Sequence, residues 1–210
     1  MTGSLTKSTA VATKSHHTPE DLLAMPDGKS YELVRGQLVE RNMGVESSWV
    51  GSRIVSRLDR FCEEHKIGWA LQADCGYQCF PHDPGMVRRP DASFVRTGRF
   101  PGDVLPKGWA KVPPDLVVEV VSPNDLVYKL EEKLNDYRKV GVPLIWVISP
   151  ESRTVTVYRR DGSINRFQAD DELSGEDVMP GFRCPIREIL PPLGQPEEAQ
   201  PTPTRTNGPG

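Results

Sequence analysis

The stretch that most restricts the fold is residues 115–149, where two nearly all-apolar runs, DLVVEVVS and LIWVIS, flank a segment of helical periodicity. Unbroken Val, Leu and Ile of that length read as strands buried on both faces. A helix between two such strands makes a βαβ unit, with its strands parallel and its crossover right-handed. The helix is expected to start at Ser122 or Asn124 and to reach about Val140, where Gly141 and then Pro143 stop it. The fold class that follows is α/β, a mixed central sheet flanked by helices.

The remaining segments add to that core. Thr18-Pro19-Glu20-Asp21 is a sound helix start, a cap residue followed by proline and acids in the first turn, and Met25-Pro26-Asp27-Gly28 ends it. YELV and QLVER, joined by Arg35-Gly36, form an expected N-terminal β-hairpin. Residues 46–65 place Val50, Ile54, Val55, Leu58 and Phe61 at helical spacing, with Arg53, Arg57 and Arg60 off that stripe. Strands are expected over 69–80 and 91–95, and RTVTVYR with INRF forms a closing antiparallel hairpin around Asp161-Gly162. Ser- and Thr-rich residues 1–17 read as a disordered arm, and Pro- and Gly-rich residues 191–210 as a disordered tail. One folded domain therefore spans 18–190, in keeping with a length of 210 residues.

Several functions are excluded at this level. No apolar run approaches the roughly 18 residues of a membrane span, so no membrane role is expected. The N-terminus has no apolar core of a secretory signal. Cys62, Cys75, Cys79 and Cys184 form no CxxC pair, which argues against a disulfide framework and makes the cytoplasm the default location. Zinc on Cys75 and Cys79 is a poor reading, since a core strand buries cysteine as a small hydrophobe. A net charge of −3 argues against coating nucleic acid by bulk charge while leaving room for a locally basic groove.

Against this apolar background a few polar residues stand out. Glu119 lies in the middle of LVVEVVS, where burial is expected, and a buried carboxylate needs a cation, a metal or an opening to water. Asp91 follows Arg88-Arg89-Pro90 at the entry of another strand, so the two acids can converge on one hard cation such as Mg²⁺. Lys133 is sharper still. At about 100° per residue it falls within the apolar arc of Leu126, Leu130, Leu134 and Tyr137, aimed at the sheet rather than at water. The bland alternative for Lys133 is snorkelling along the helix flank. Glu32, in YELV, reads by itself as an ordinary outward-facing acid.

With YELVRGQLVE, RRPDASFV, DLVVEVVSPND, EKLNDYRKVGVPLIWVISP and MPGF in this order, the chain resembles the Uma-type restriction endonucleases of the PD-(D/E)XK nuclease superfamily. The resemblance covers about residues 18–190. It implies a restriction-endonuclease-like core, a Mg²⁺ or Mn²⁺ site held by Asp91 and Glu119, and an activating lysine at Lys133. It also marks Glu32 as a further ligand or metal-shell residue, and Tyr137 as a side chain that orients the lysine or simply packs. Ser122 follows the glutamate strand as a supporting residue. Where the superfamily usually places its lysine, two positions after the glutamate, this chain has Val121.

The function expected is metal-dependent hydrolysis of DNA phosphodiesters, with the Val120 carbonyl as a third ligand. Arg53, Arg57 and Arg60, with Arg88 and Arg89, are candidates to track the phosphate backbone, against the plainer reading of a solvated helix face. The alternative function is a catalytically inactive nuclease-fold module that binds nucleic acid or a protein partner. A homodimer is the base-rate expectation for assembly.

Overall fold

The computed structural model describes residues 16–41, 44–123 and 125–193. The arm expected over 1–17 and the tail over 191–210 lie outside these residues except at 16–17 and 191–193; the His17 N–H donates to the Gly36 carbonyl at 2.8 Å. Helix α1 (Pro19–Ala24) opens on a reciprocal cap, in which the Asp21 N–H donates to Thr18 Oγ1 and the Thr18 N–H to Asp21 Oδ2. Strands β1 (Tyr31–Val34) and β2 (Gln37–Glu40) follow as the expected hairpin. Arg35 and Gly36 both take positive φ, 50° and 74°, the geometry a two-residue hairpin turn demands.

Among the described residues one sheet of six strands forms the centre. Its order is β3 (Gly68–Gln72), β4 (Ala92–Arg96), β5 (Leu116–Val120), β6 (Leu144–Ser149), β7 (Thr154–Arg159) and β8 (Ile164–Gln168). β5 and β6 are parallel, as the βαβ pattern requires, and the other neighbours are antiparallel. A two-stranded ribbon of β9 (Glu172–Ser174) and β10 (Arg183–Pro185) completes the strands among the described residues.

The two long helices α2 (Val45–His65) and α3 (Val127–Lys139) belong to separate cores. Val50, Ile54, Leu58 and Cys62 of α2 pack with Leu116, Val118 and Val120 of β5, and with the C-terminal Met179, Phe182 and Ile186. Leu134 and Tyr137 of α3 pack with Val117, Ile145 and Val147. Successive side chains of a strand point to opposite faces, so the parity that sends Val118 and Val120 toward α2 sends Val117 and Glu119 toward α3. That parity is what carries an acid into the second core.

Two boundaries differ from the sequence reading. The strand expected over 69–80 ends at Gln72; the Cys75 N–H turns back to the Gln72 carbonyl, and beyond it only isolated bridges at Tyr77 remain. Gly76 allows this departure, since a Cβ there would stand 2.5 Å from the Trp109 ring. Helix α3 starts at Val127 because Asp125 first closes a turn, its side chain accepting from the Ser122 N–H at 2.7 Å.

Candidate active site

The residues singled out by burial converge at one end of the sheet. Asp91 immediately precedes β4, where its N–H donates to the Val118 carbonyl at 3.0 Å, and its Oδ2 accepts from the Val120 N–H at 2.7 Å. These two bonds tie it across the strand gap beside Glu119. From α3, Lys133 Nζ reaches Glu119 Oε2 at 2.8 Å, and one turn later the Tyr137 hydroxyl donates to Glu119 Oε1 at 2.9 Å. Lys133 and Tyr137 are four residues apart and so share a helix face. Tyr137 thus orients the glutamate rather than the lysine.

Glu32 turns inward from β1 and is 3% exposed. It accepts from the Arg89 N–H at 2.7 Å and from Arg88 Nη1 at 3.0 Å, and its Oε1 lies 2.9 Å from Lys133 Nζ. One of its oxygens thus meets Lys133 and the Arg89 amide and the other meets Arg88, so Glu32 serves as counter-ion to two bases. Its position follows from the Leu33–Val87 bridge, which lays the hairpin along the segment that leads to Asp91.

Charge is distributed unevenly here. Burial opposes ionisation of Glu32, but Lys133, Arg88 and the Arg89 amide outweigh it and pull its pKa down to about 2. Burial raises Glu119 to about 7, with Asp91 and Glu32 pushing the same way and Lys133 only partly offsetting them. Asp91 is likewise raised, chiefly by burial. Burial disfavours the Lys133 ammonium, yet Glu119, Glu32 and Asp91 hold its pKa above the usual value. Asp91 and Glu119 thus form an acidic pair whose ionisation burial opposes, in a cleft of about 160 Å³ lined also by Glu32, Arg41, Arg88, Lys129 and Lys133.

That arrangement fits a divalent cation. Mg²⁺ is held by one or two carboxylates together with waters and substrate oxygens. Among the described residues no three His, Cys, Asp or Glu side chains form a closed cage, so the two carboxylates would be the side-chain ligands. Val120 lines the cleft beside them. Ser122 is buried, with its amide committed to Asp125, and does not line it.

A model of the Uma2 family, described as "Putative restriction endonuclease", matches residues 19–187. The chain belongs to the Uma2 family. The same fold occurs in a crystal structure from Anabaena variabilis described as a "putative nuclease belonging to DUF820". Identity to it is 22% and the TM-score 0.68, over 82% of this chain and 97% of that one. No curated protein matches. As an Uma2 protein the chain is nuclease-like.

Of the arginines expected to follow a phosphate backbone, only Arg88 lines the cleft. Arg88 and Arg89 are 4% and 3% exposed. Arg88 is spent on Glu32 and Asp136, whereas Arg89 donates to the carbonyls of Tyr31, Asp74 and Gly28 and lies over Trp109. Adjacent arginines look solvated in sequence, yet these two bury because carboxylates and carbonyls meet them from distant segments. Arg53 donates to the Glu188 carbonyl and Arg57 pairs with the Glu188 carboxylate, so both tie α2 to the C-terminal segment. Arg60 is exposed on the same helix.

Arg41 is one side chain that sequence reasoning passed over. It stands 3.3 Å from Asp91 Oδ1 and also donates to the Ala73 carbonyl at 3.0 Å. Its position just past the hairpin carries no periodic signal, and only the fold brings it to the aspartate.

Proposed function

We propose that this Uma2 protein is a divalent-metal-dependent endonuclease that hydrolyses DNA phosphodiester bonds. The observation that carries the reading is the placement of Lys133 Nζ 2.8 Å from Glu119 in the same cleft as Asp91. Two carboxylates and an ammonium are what phosphodiester hydrolysis asks of a site. The carboxylates of Asp91 and Glu119 would hold Mg²⁺ or Mn²⁺, and a cation there would supply Lewis acidity toward a phosphate oxygen and acidify water.

The chain's own groups do the rest. Asp91 and Glu119 are held in place by the Val120 amide and by the Tyr137 hydroxyl, and a cation would share the oxygens that now meet Arg41 and Lys133. Lys133 is charged and donates to Glu119 and to the Arg89 carbonyl, with Glu32 beside it. With its three N–H groups so engaged, it acts through its positive charge on the negative charge growing on the phosphate, not as a base. Arg41 and Lys129 at the cleft wall supply positive charge for the flanking phosphates.

The test is incubation of plasmid and single-stranded DNA with the protein, in Mn²⁺ or in EDTA, beside Asp91→Ala and Lys133→Ala. Cleavage that needs the metal and disappears in both variants is the expected result. Nicking that survives EDTA or either substitution would reject the enzyme. DNA retained without cleavage would support the inactive binding module instead.

A further inference from the structure

Four charged side chains close a ring, three of them in the wall of the cleft. Lys133 Nζ lies 2.9 Å from Glu32 Oε1, and Glu32 Oε2 accepts from Arg88 Nη1 at 3.0 Å. The same guanidinium donates from Nε and Nη2 to Asp136 Oδ2, at 3.0 and 2.6 Å. Asp136 lies three residues after Lys133 on α3, so the helix itself closes the circuit. Glu32, Arg88 and Asp136 are all buried. Outside the ring, His82 Nε2 meets the other Asp136 oxygen at 3.1 Å, at the rim of a separate surface cavity.

Burial alone does not call for such an arrangement. A well-packed apolar pair in place of a buried ion pair is often as stable or more so, because both charges must leave water. A planar guanidinium does something an apolar pair cannot: its fork sets the distance and angle between the groups it joins. Here it joins the hairpin's carboxylate to α3 on the turn that carries Lys133 and Tyr137. Rotation of α3 about its axis would break the Arg88–Asp136 bonds and withdraw Lys133 from Glu119 together.

We propose that Arg88 and Asp136 are positioning residues that hold the Lys133 ammonium against Glu119, acting through Glu32. This deepens the nuclease reading and rests on it only for the effect on turnover.

The deciding experiment measures unfolding by denaturant for Asp136→Asn, Lys133→Met and the double variant, in the natural chain and in a Glu32→Gln background. The ring predicts that the two effects on the unfolding constant fail to multiply by about fivefold or more in the natural chain. It also predicts that this coupling vanishes once Glu32 is replaced. Independent effects in the natural chain would overturn the proposal. So would a coupling that persists without Glu32, which would assign it to direct attraction along the helix. Should Asp136→Asn not fold, Arg88→Met with Asp136→Leu opens the ring by removing one charge of each sign, and the same cycle with Lys133→Met in the Glu32→Gln background decides. Turnover supplies the second readout. Opening the ring is expected to lower kcat about tenfold or more with KM within about twofold, and an unchanged kcat would overturn the proposal. If the natural chain cleaves nothing, the nuclease reading fails and the unfolding cycle still settles the ring.

Discussion

Replacing Glu32 by Gln keeps its size and removes its charge, and the structure fixes how the cost depends on pH. Glu32 is almost fully buried and meets Lys133, Arg88 and the Arg89 amide, with a pKa lowered from 4.5 to about 2. That difference of two to three pKa units, at about 1.4 kcal/mol each, is worth on the order of 3 kcal/mol to the folded state. The sign follows from the direction. A carboxylate with a depressed folded pKa contributes fully above its unfolded value, and the contribution fades as pH falls from about 5 toward 2. Urea unfolding of the natural chain and of Glu32→Gln, near neutral pH and near pH 3, provides the assay. The gap between them should be on the order of 3 kcal/mol at neutral pH and less than half of that near pH 3. A gap that stays flat, or widens on acidification, would refute the claim that ionised Glu32 is stabilised by its three partners.

Other consequences follow from the same contacts. Lys133→Met should lower cleavage by about 10²–10³ in steady-state assays while Mn²⁺ still binds by calorimetry, because the ammonium acts on developing charge rather than on the metal. Arg41 competes with a cation for Asp91 Oδ1, so Arg41→Ala should tighten Mn²⁺ binding about fivefold in the same titration, by removal of one charge-assisted hydrogen bond. Leu58→Ala empties a fully buried position between α2 and the sheet and should cost about 2–5 kcal/mol in urea unfolding, with m unchanged.

The parts of this fold that could be read from sequence are those where one physical rule acts alone. β5 and β6 are legible because both faces are buried, and Val and Ile then run without alternation. The same uniformity exposes Glu119, an acid with nowhere apolar to go, and the helical period does the same for Lys133. The charged ring was hidden for the opposite reason. Arg88 follows a buried valine and precedes another arginine, a pattern that surface segments show as often. Its partners Glu32 and Asp136 lie 56 and 48 residues away, and nothing local links them. Arg53 and Arg57 are hidden in the same way, since Glu188 meets them only once the C-terminal segment has folded under α2. The run after Gln72 misled for a third reason: its alternation is that of a strand, but the chain turns at Cys75 and packs Tyr77 and Phe80 singly into the second core.

The most direct measurement is the anomalous difference density of crystals grown with Mn²⁺. The account predicts one strong peak in the cleft, within about 2.1–2.3 Å of carboxylate oxygens from both Asp91 and Glu119, and no such peak in Asp91→Asn. A manganese ion bound away from this pair, or coordinated by only one of them at high occupancy, would contradict it.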